Sequence, residues 1–223
     1  MSLQHAILGV LEARPMTGYE LTRFFESTAR WVWSAPQSQI YPLLHRLEAE
    51  GLIRGENQLR GEKLRRTLYS LTEAGLTDLR HWLVEPHDEP PVRDPLLLQA
   101  LFLDTVDPPD AERVLSAHLR ALEAGIEPWT VHRNRLLARD TPLLRERLAS
   151  RNPADHARIA ALKAHVFDYL IDSAELRIAW IRRALAIVAG ETPRGAHEST
   201  SGTKEMRRST ISSTDIEGSV RIQ

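Results

Sequence analysis

The sequence contains no cysteine among its 223 residues. This absence excludes a disulfide framework and a thiolate nucleophile, and it fits a cytoplasmic protein best. Long apolar runs are missing too, since the longest candidate, residues 96–103, is far shorter than the roughly 18 residues of a membrane span. The N-terminal stretch lacks a basic start and carries Glu12, so it predicts a first helix and no signal peptide.

An excess of charge is also lacking, because 29 basic and 30 acidic residues give a net charge of -1. The chain is therefore no uniformly basic nucleic-acid coat, and any DNA-binding surface must be local. Catalytic motifs such as H-E-x-x-H, G-x-S-x-G and a glycine-rich phosphate loop do not occur. Histidine pairs such as His118 and His132 lack the i, i+4 spacing of metal ligands. We predict no enzyme, no cofactor and no metal site.

Composition divides the chain into four regions. Residues 1–84 mix short periodic segments with turn residues. Residues 85–94 contain three prolines and several charges, which is typical of a linker. Residues 95–189 are rich in Leu, Ala and Arg with helical periodicity, and residues 190–223 are rich in Ser, Thr and Gly, which predicts a disordered tail.

The first region predicts three helices, a hairpin and a fourth helix. Apolar residues at i, i+3, i+4 and i+7 place Ile40, Leu43, Leu44 and Leu47 on one face of the third helix. Thr17 and Thr72 are the predicted N-caps of the second and fourth helices. Extended segments at 52–54 and 67–71 enclose a polar hairpin tip. This order predicts a winged helix-turn-helix, in which the third helix enters the DNA major groove and the hairpin lies along the backbone.

Two surfaces of this region are candidates for DNA contact. The hairpin, residues 54–66, carries five basic and two acidic residues, a local charge of +3 that suits phosphate binding. The polar face of the third helix carries hydroxyl and amide groups that can bond phosphates and base edges. Each surface alone is also consistent with ordinary solvated side chains. The candidate DNA contacts are Thr17, Tyr19, Ser38, Gln39, Tyr41, Arg46, Arg60, Lys63, Arg65 and Arg66.

The C-terminal region predicts long helices that need a partner. Asp94 and Asp107, each followed by proline, are typical helix starts. Apolar residues then alternate at spacings of 3 and 4, the pattern of a coiled-coil seam, and the last helix, about 153–189, spans on the order of 50 Å at ~1.5 Å per residue. We expect a second copy to cover it. The candidate dimer contacts are Leu97, Leu101, Leu115, Leu119, Leu122, Ile126, Leu162, Val166, Tyr169 and Leu176.

Several segments together resemble the PadR family of bacterial transcriptional regulators, in its long subfamily with a Vir/AphA-type C-terminal helical domain. The resemblance covers about residues 3–189, and the segments that carry it are "AILGVLEARPMTGYEL" (6–21), "QIYPLLHRLEAEGLI" (39–53), "YSLTEAGLTDLRHWL" (69–83), "PVRDPLLLQALFL" (91–103) and "FDYLIDSAELRIAWIRRAL" (167–185). It implies a dimeric repressor whose third helix and wing bind an operator. Tyr41 matches a recognition-helix position and Arg66 a basic wing position. Thr67 and Leu68 stand at positions where the family usually has a lysine and an aromatic residue. Gln39 stands at a position where the family commonly has a smaller residue.

The tryptophans suggest a second site. Members of the family resemble sensors of small aromatic or amphipathic molecules held between the two domains. An effector pocket bordered by Trp31, Trp33, His132 and Trp180 is one interpretation, and ordinary packing of large aromatic side chains is the other.

These observations favour a mainly α protein with a winged helix-turn-helix domain followed by a long-helix dimerisation domain. We predict a cytoplasmic, nucleoid-associated regulator that binds a pseudo-palindromic double-stranded operator as a homodimer, with no membrane partner. The alternative is a winged-helix protein-interaction module with coiled-coil dimerisation and no operator. The local charge of the hairpin argues against that alternative.

Overall fold

Eight α-helices and three β-strands make up the part of the chain that the computed structural model describes, residues 2–27, 31–33, 35–60, 64–88 and 93–191. The strands are β1 (Met16–Thr17), β2 (Ile53–Arg60) and β3 (Leu64–Leu71). The helices are α1 (Ser2–Leu11), α2 (Gly18–Ser27), α3 (Gln37–Ala49), α4 (Glu73–Val84), α5 (Pro95–Ala100), α6 (Pro108–Leu137), α7 (Pro142–Ala149) and α8 (His156–Val188). Two single 3₁₀ turns, Leu103–Thr105 and Pro153–Asp155, precede α6 and α8.

The N-terminal part confirms the predicted winged helix-turn-helix. Helices α1 to α4 bury a common apolar core, and the predicted stripe of α3 faces it, with Ile40, Leu44 and Leu47 fully buried and Leu43 partly buried. Strands β2 and β3 form the hairpin and are longer than predicted, since the antiparallel ladder runs from Ile53↔Leu71 to Arg60↔Leu64. Hydrogen bonding between backbones continues there regardless of side-chain alternation.

A third strand joins the sheet, which the sequence did not predict. Met16 pairs with Tyr69 and Thr17 with Leu68, giving the strand order β1-β3-β2. Two residues are too few to show the alternating pattern that identifies a strand. The first helix, which the sequence predicts from about Ser2 to Ala13, ends at Leu11, so that the chain can turn into β1.

Most of the predicted N-cap residues form the expected capping hydrogen bonds. Thr72 accepts a hydrogen bond from the Gly75 amide at 3.1 Å, and Asp94 accepts one from Leu96 at 3.0 Å. Asp107 occupies the N-cap position of α6, but its side chain makes no capping bond. The fifth helix, which the sequence predicts over about 95–104, ends at Ala100 and is followed by the 3₁₀ turn.

Helices α6 and α8 pack against each other along their length, and α7 reverses the chain between them. They run antiparallel, because Glu123 pairs with Arg182 while Arg133, further along α6, pairs with Asp168, earlier in α8. Residues 142–149, predicted as a short extra turn, form α7. The predicted tail, residues 190–223, lies outside the described residues from 192 onward.

The α6 seam corrects part of the dimer prediction. Leu115 is fully buried within the chain, where Leu119 and Leu122 pack against the same apolar cluster as Ile181 of α8. Ile126 is half-buried in the groove between α6 and α8. The heptad pattern is real, but the partner of α6 is α8 of the same chain, because a helical hairpin uses the same seam as a coiled coil.

Helix α8 has two separate apolar faces. The face toward α6 is built mainly from small residues, with Ala160, Ala164 and Ala174 buried beside Phe167 and Ile178. A second heptad stripe is left exposed, and it contains the remaining candidate dimer contacts of this helix. The exposed α8 stripe consists of Leu162, Val166, Tyr169, Leu176 and Ile187.

Candidate DNA-binding and effector sites

The N-terminal edge of α3 presents polar side chains to solvent. Ser38 and Gln39 are both exposed, immediately before the buried Ile40. The side chains of the first helical turn are the ones that reach base edges and phosphates when a recognition helix enters the major groove. These two predicted contacts are therefore available to DNA without rearrangement of the fold.

Tyr41 is half-buried, and its ring lies over the start of α2. A Cβ atom at Gly18 would come within 2.8 Å of Cε1 of Tyr41. Glycine at position 18 therefore leaves the space that the tyrosine ring fills, and α2 positions a predicted DNA contact on α3. This role of Gly18 could not be predicted from the sequence, because a glycine in a helix does not reveal which distant side chain packs against it.

Arg46 is already engaged inside the protein. Its guanidinium donates to the Gln4 side-chain oxygen at 3.2 Å and lies 3.6 Å from the Glu50 carboxylate. Gln4 in turn donates to Asp78 of α4 at 3.1 Å. A phosphate contact by Arg46 therefore competes with a network that joins α1, α3 and α4.

Thr17 requires a correction, whereas Tyr19 does not. Thr17 is 7% exposed, and its hydroxyl and the Glu20 carboxylate form a reciprocal capping box at the start of α2. The Glu20 carboxylate accepts a hydrogen bond from the Thr17 amide at 2.8 Å. The Thr17 side chain is thus a helix cap and is not free to contact DNA. Tyr19, two residues on, is 67% exposed.

The wing is held by a contact across the hairpin and by a contact with α3. Arg66 is exposed and donates to the Gln58 side-chain oxygen at 3.2 Å across the hairpin. The Glu48 carboxylate accepts from the Gly55 amide at 3.0 Å, which ties β2 to α3. Lys63 and the side chains of Arg60 and Arg65 lie outside the described part of the hairpin, so their role in DNA binding stays a prediction.

Three aromatic rings meet where the connector before α3 approaches the C-terminal helices. Trp31 lies 5.6 Å from His132 of α6 and 5.9 Å from Phe167 of α8, and the rings of His132 and Phe167 are 4.7 Å apart. This aromatic cluster brings together two predicted effector residues. Phe167 was missed, because buried aromatics on a long helix usually indicate packing.

Two other predicted effector residues are not part of this cluster. Trp180 packs with Leu96, Leu115 and Ile181, and it lies 13 residues beyond Phe167, which is about 20 Å along α8 at ~1.5 Å per residue. Trp33 is 39% exposed and makes no ring contact with the described side chains of the cluster. The predicted four-residue pocket is therefore wrong in the case of Trp180.

The pH dependence of stability tests the environment of His132. Burial lowers the pKa of His132, and the nearby charge of Arg135 lowers it further. Between this lowered pKa and the unfolded value of about 6.5, the unfolded chain binds more protons, so stability rises with pH. We expect the His132 contribution to be fully present above about pH 6.5 and to be lost as the pH falls toward the folded pKa.

Urea unfolding at pH 7.5 and pH 5.5 measures this effect. His132→Phe keeps the aromatic contacts but cannot be protonated, so the variant is expected to lose less stability than the wild type on acidification. The control is His45→Gln, which removes a histidine at an exposed position of α3. An equal loss for His132→Phe and the wild type contradicts the assignment.

Within the described ranges, none of the helices has both the length and the apolarity to cross a membrane. Across the same ranges, no group of three or more His, Asp or Glu side chains is arranged to bind a metal ion.

Comparison with known proteins gives one consistent result. Residues 7–81 match the "Transcriptional regulator PadR-like family", and residues 92–189 match "Virulence activator alpha C-term". The "Negative transcriptional regulator PadR" of Bacillus subtilis (strain 168) is 32% identical over 142 residues, which cover 63% of this chain and 78% of that protein.

Solved structures of the Bacillus subtilis protein are similar as well. The crystal structure of PadR in complex with operator DNA has a TM-score of 0.66 at 26% identity and covers 84% of this chain and 99% of that one. The complex with p-coumaric acid has a TM-score of 0.63 at 25% identity and covers 85% and 99%. The relatives are transcriptional regulators and not enzymes.

Proposed function

Because this chain belongs to the PadR-like family of transcriptional regulators, we propose that it is a repressor that binds a pseudo-palindromic operator as a homodimer and is released by a small aromatic effector. The observation that carries the proposal is the exposed N-terminal edge of α3, where the side chains of Ser38 and Gln39 face solvent in a winged helix-turn-helix fold. The Bacillus subtilis relative was crystallised with operator DNA, which supports the same use of this surface here.

Binding as a dimer is supported by the exposed α8 stripe. Five large apolar side chains are exposed on one face of this helix, and a solvated surface rarely exposes so many together. Leu97 of α5 and Leu101, which follows that helix, are exposed too, and they belong to the same predicted interface. Two copies related by a two-fold axis would present two recognition helices to half-sites about 10 bp, or a multiple, apart.

The aromatic cluster is the proposed effector site. Trp31 belongs to the N-terminal part and stacks edge-on with rings from α6 and α8, so a flat ligand inserted here would change how the two parts fit together. The relative's complex with p-coumaric acid supports an aromatic acid as the ligand class.

We also propose the domain limits and the location predicted from composition, namely a DNA-binding domain at 1–84, a linker at 85–94 and a helical domain at 95–189 in a cytoplasmic protein. Separate apolar clusters in the two parts support these limits.

Fluorescence anisotropy with a labelled DNA fragment from upstream of the gene tests the proposal. We expect saturable binding that outcompetes a scrambled fragment and weakens by about 10³- to 10⁵-fold between 50 and 200 mM salt, as 6–10 phosphate contacts imply. p-Coumarate serves as the effector probe and should lower the affinity. Absence of binding at low salt would favour the protein-interaction module instead.

A further inference from the structure

A set of ion pairs joins the end of α1 to the short helix α7. The Glu12 carboxylate accepts hydrogen bonds from Arg147 through one oxygen and from Arg151 through the other. The second terminal nitrogen of Arg147 donates to the Gly9 carbonyl at 2.5 Å. The side chains of Glu12 and Arg147 are only 14% and 16% exposed. Two guanidinium groups therefore share one shielded carboxylate, and their charge-assisted hydrogen bonds are stronger than those of an ordinary surface pair.

A second pair extends the contact toward the helix-turn-helix. Arg14 Nε lies 2.7 Å from the Glu146 carboxylate of α7, and Arg14 Nη1 lies 3.2 Å from the Glu20 carboxylate. Glu20 is the acidic residue of the capping box that starts α2 with Thr17. A continuous chain of charge-assisted contacts therefore runs from α7 to the first turn of α2. We call Glu12, Arg14, Glu146, Arg147 and Arg151 the α1–α7 latch.

The charges in the latch are unbalanced around Glu12. The ammonium of Lys163 on α8 interacts electrostatically with Glu12, Arg147 and Arg151, so three cations share this carboxylate. Burial lowers the pKa of Arg147, the Glu12 carboxylate opposes that change, and Arg151 adds to it. Removing the Glu12 charge would leave the cations of α7 and α8 facing one another, which turns attraction into repulsion.

Ionic contacts of this kind suit a two-state element. Arginine and carboxylate groups have discrete partners, and they can exchange them for water without exposing a large apolar area. Apolar contact between α7 and the N-terminal core is small by comparison, since Leu143 of α7 is only partly buried against it. Apart from the aromatic cluster of Trp31, His132 and Phe167, the contact between the winged helix and the long helices is therefore made largely by charged groups that either pair or separate.

We propose that the α1–α7 latch is a conformational switch that holds α2 and α3 in one orientation relative to α6 and α8, and that its opening releases them. In a dimer the two orientations would set different separations of the recognition helices. Only this last consequence rests on the proposed function, because the latch itself acts within one chain.

Distance measurement by spin labelling tests the switch directly, because the chain has no cysteine of its own. Ala49→Cys on α3 and Ala157→Cys on α8 place labels at two exposed positions. Mixing with excess unlabelled protein restricts the signal to labels within one chain, and no DNA or effector is needed. In the parent protein we expect one dominant distance population. In Glu12→Gln we expect a second population, whose ratio to the first is about 5- to 150-fold higher than in the parent protein, the range of typical coupling between sites.

Two further variants complete the design. Glu146→Gln breaks only the more exposed Arg14 pair, so it should fold normally and raise the second population to a smaller extent. Arg113→Gln removes a local pair with Asp110 on the surface of α6 and should change nothing. If Glu12→Gln does not fold, as judged by circular dichroism, Glu146→Gln alone decides.

The outcomes separate the latch from the proposed function. Unchanged distances in folded Glu12→Gln and Glu146→Gln overturn the latch, whatever DNA binding shows. A second distance population in a protein that binds no upstream DNA supports the latch and overturns the proposed repressor.

Discussion

Leu176→Asp is expected to convert the protein into a folded monomer and to weaken operator binding by about 10²- to 10⁴-fold, the loss that follows when two linked contacts become one. Leu176 lies in the middle of the exposed α8 stripe and is 69% exposed within one chain. Its replacement therefore leaves the core of the protomer intact. In a two-fold interface each substitution acts twice, so burying Leu contributes about 3–6 kcal/mol to the dimer, at ~1.5–3 kcal/mol for each copy.

Sedimentation velocity measures the oligomeric state, and anisotropy on the operator fragment measures the affinity. Ala161→Asp is the matched control, because it adds the same charge to α8 at an exposed position on its polar face, beside Arg158 and His165. The control should remain a dimer and bind the operator as the parent protein does. A dimeric Leu176→Asp, or a monomeric parent protein, contradicts the proposed interface.

Periodicity predicted the exposed α8 stripe but not the second apolar face of the same helix. Leu162, Tyr169 and Leu176 are large, so their heptad spacing is conspicuous in the sequence. The buried face is built largely from alanines such as Ala160, Ala164 and Ala174, which carry little hydrophobic signal. Small residues allow two helices to approach closely, and only the position of α6 shows that this face is the one buried in the protomer.

The same limit explains why the α6 seam was assigned to the dimer. A spacing of 3 and 4 indicates that one face of a helix packs against another helix, but it does not identify that partner helix. The choice depends on the turn through α7, which brings α8 back along α6 within one chain. The seam residues Leu115, Leu119 and Leu122 could be found from the sequence, whereas their partner could not.

Interactions between distant residues were beyond the sequence analysis. Glu12 and Arg147 are 135 residues apart in the chain, and neither belongs to a motif. The capping box of Thr17 and Glu20 has the expected three-residue spacing, and Thr17 was indeed predicted as an N-cap. The second prediction for Thr17, that it contacts DNA, was wrong because its hydroxyl caps α2 and cannot also reach DNA. Local patterns predicted the elements of the site, and tertiary contacts decided which side chains remain free.

Gln39→Ala and Arg66→Ala are expected to weaken operator binding in two different ways. Gln39 is exposed at the N-terminal edge of α3 and can pair with an adenine edge through two hydrogen bonds, worth about 1–3 kcal/mol of discrimination at each half-site. Its loss should lower specific affinity by roughly 5- to 150-fold per half-site and leave binding to scrambled DNA almost unchanged. Arg66 on the wing should lower both affinities, because phosphate contacts carry no sequence information.

Salt titration distinguishes the two residues. Each phosphate contact contributes about 0.9 to the slope of log affinity against log salt. Arg66→Ala should therefore flatten the slope by about 2 in a dimer, whereas Gln39→Ala should leave it unchanged. Arg80→Ala, which removes an exposed cation of α4, is the control for net charge. If Gln39→Ala weakens specific and scrambled DNA equally, α3 is a phosphate contact and the operator is read by other side chains.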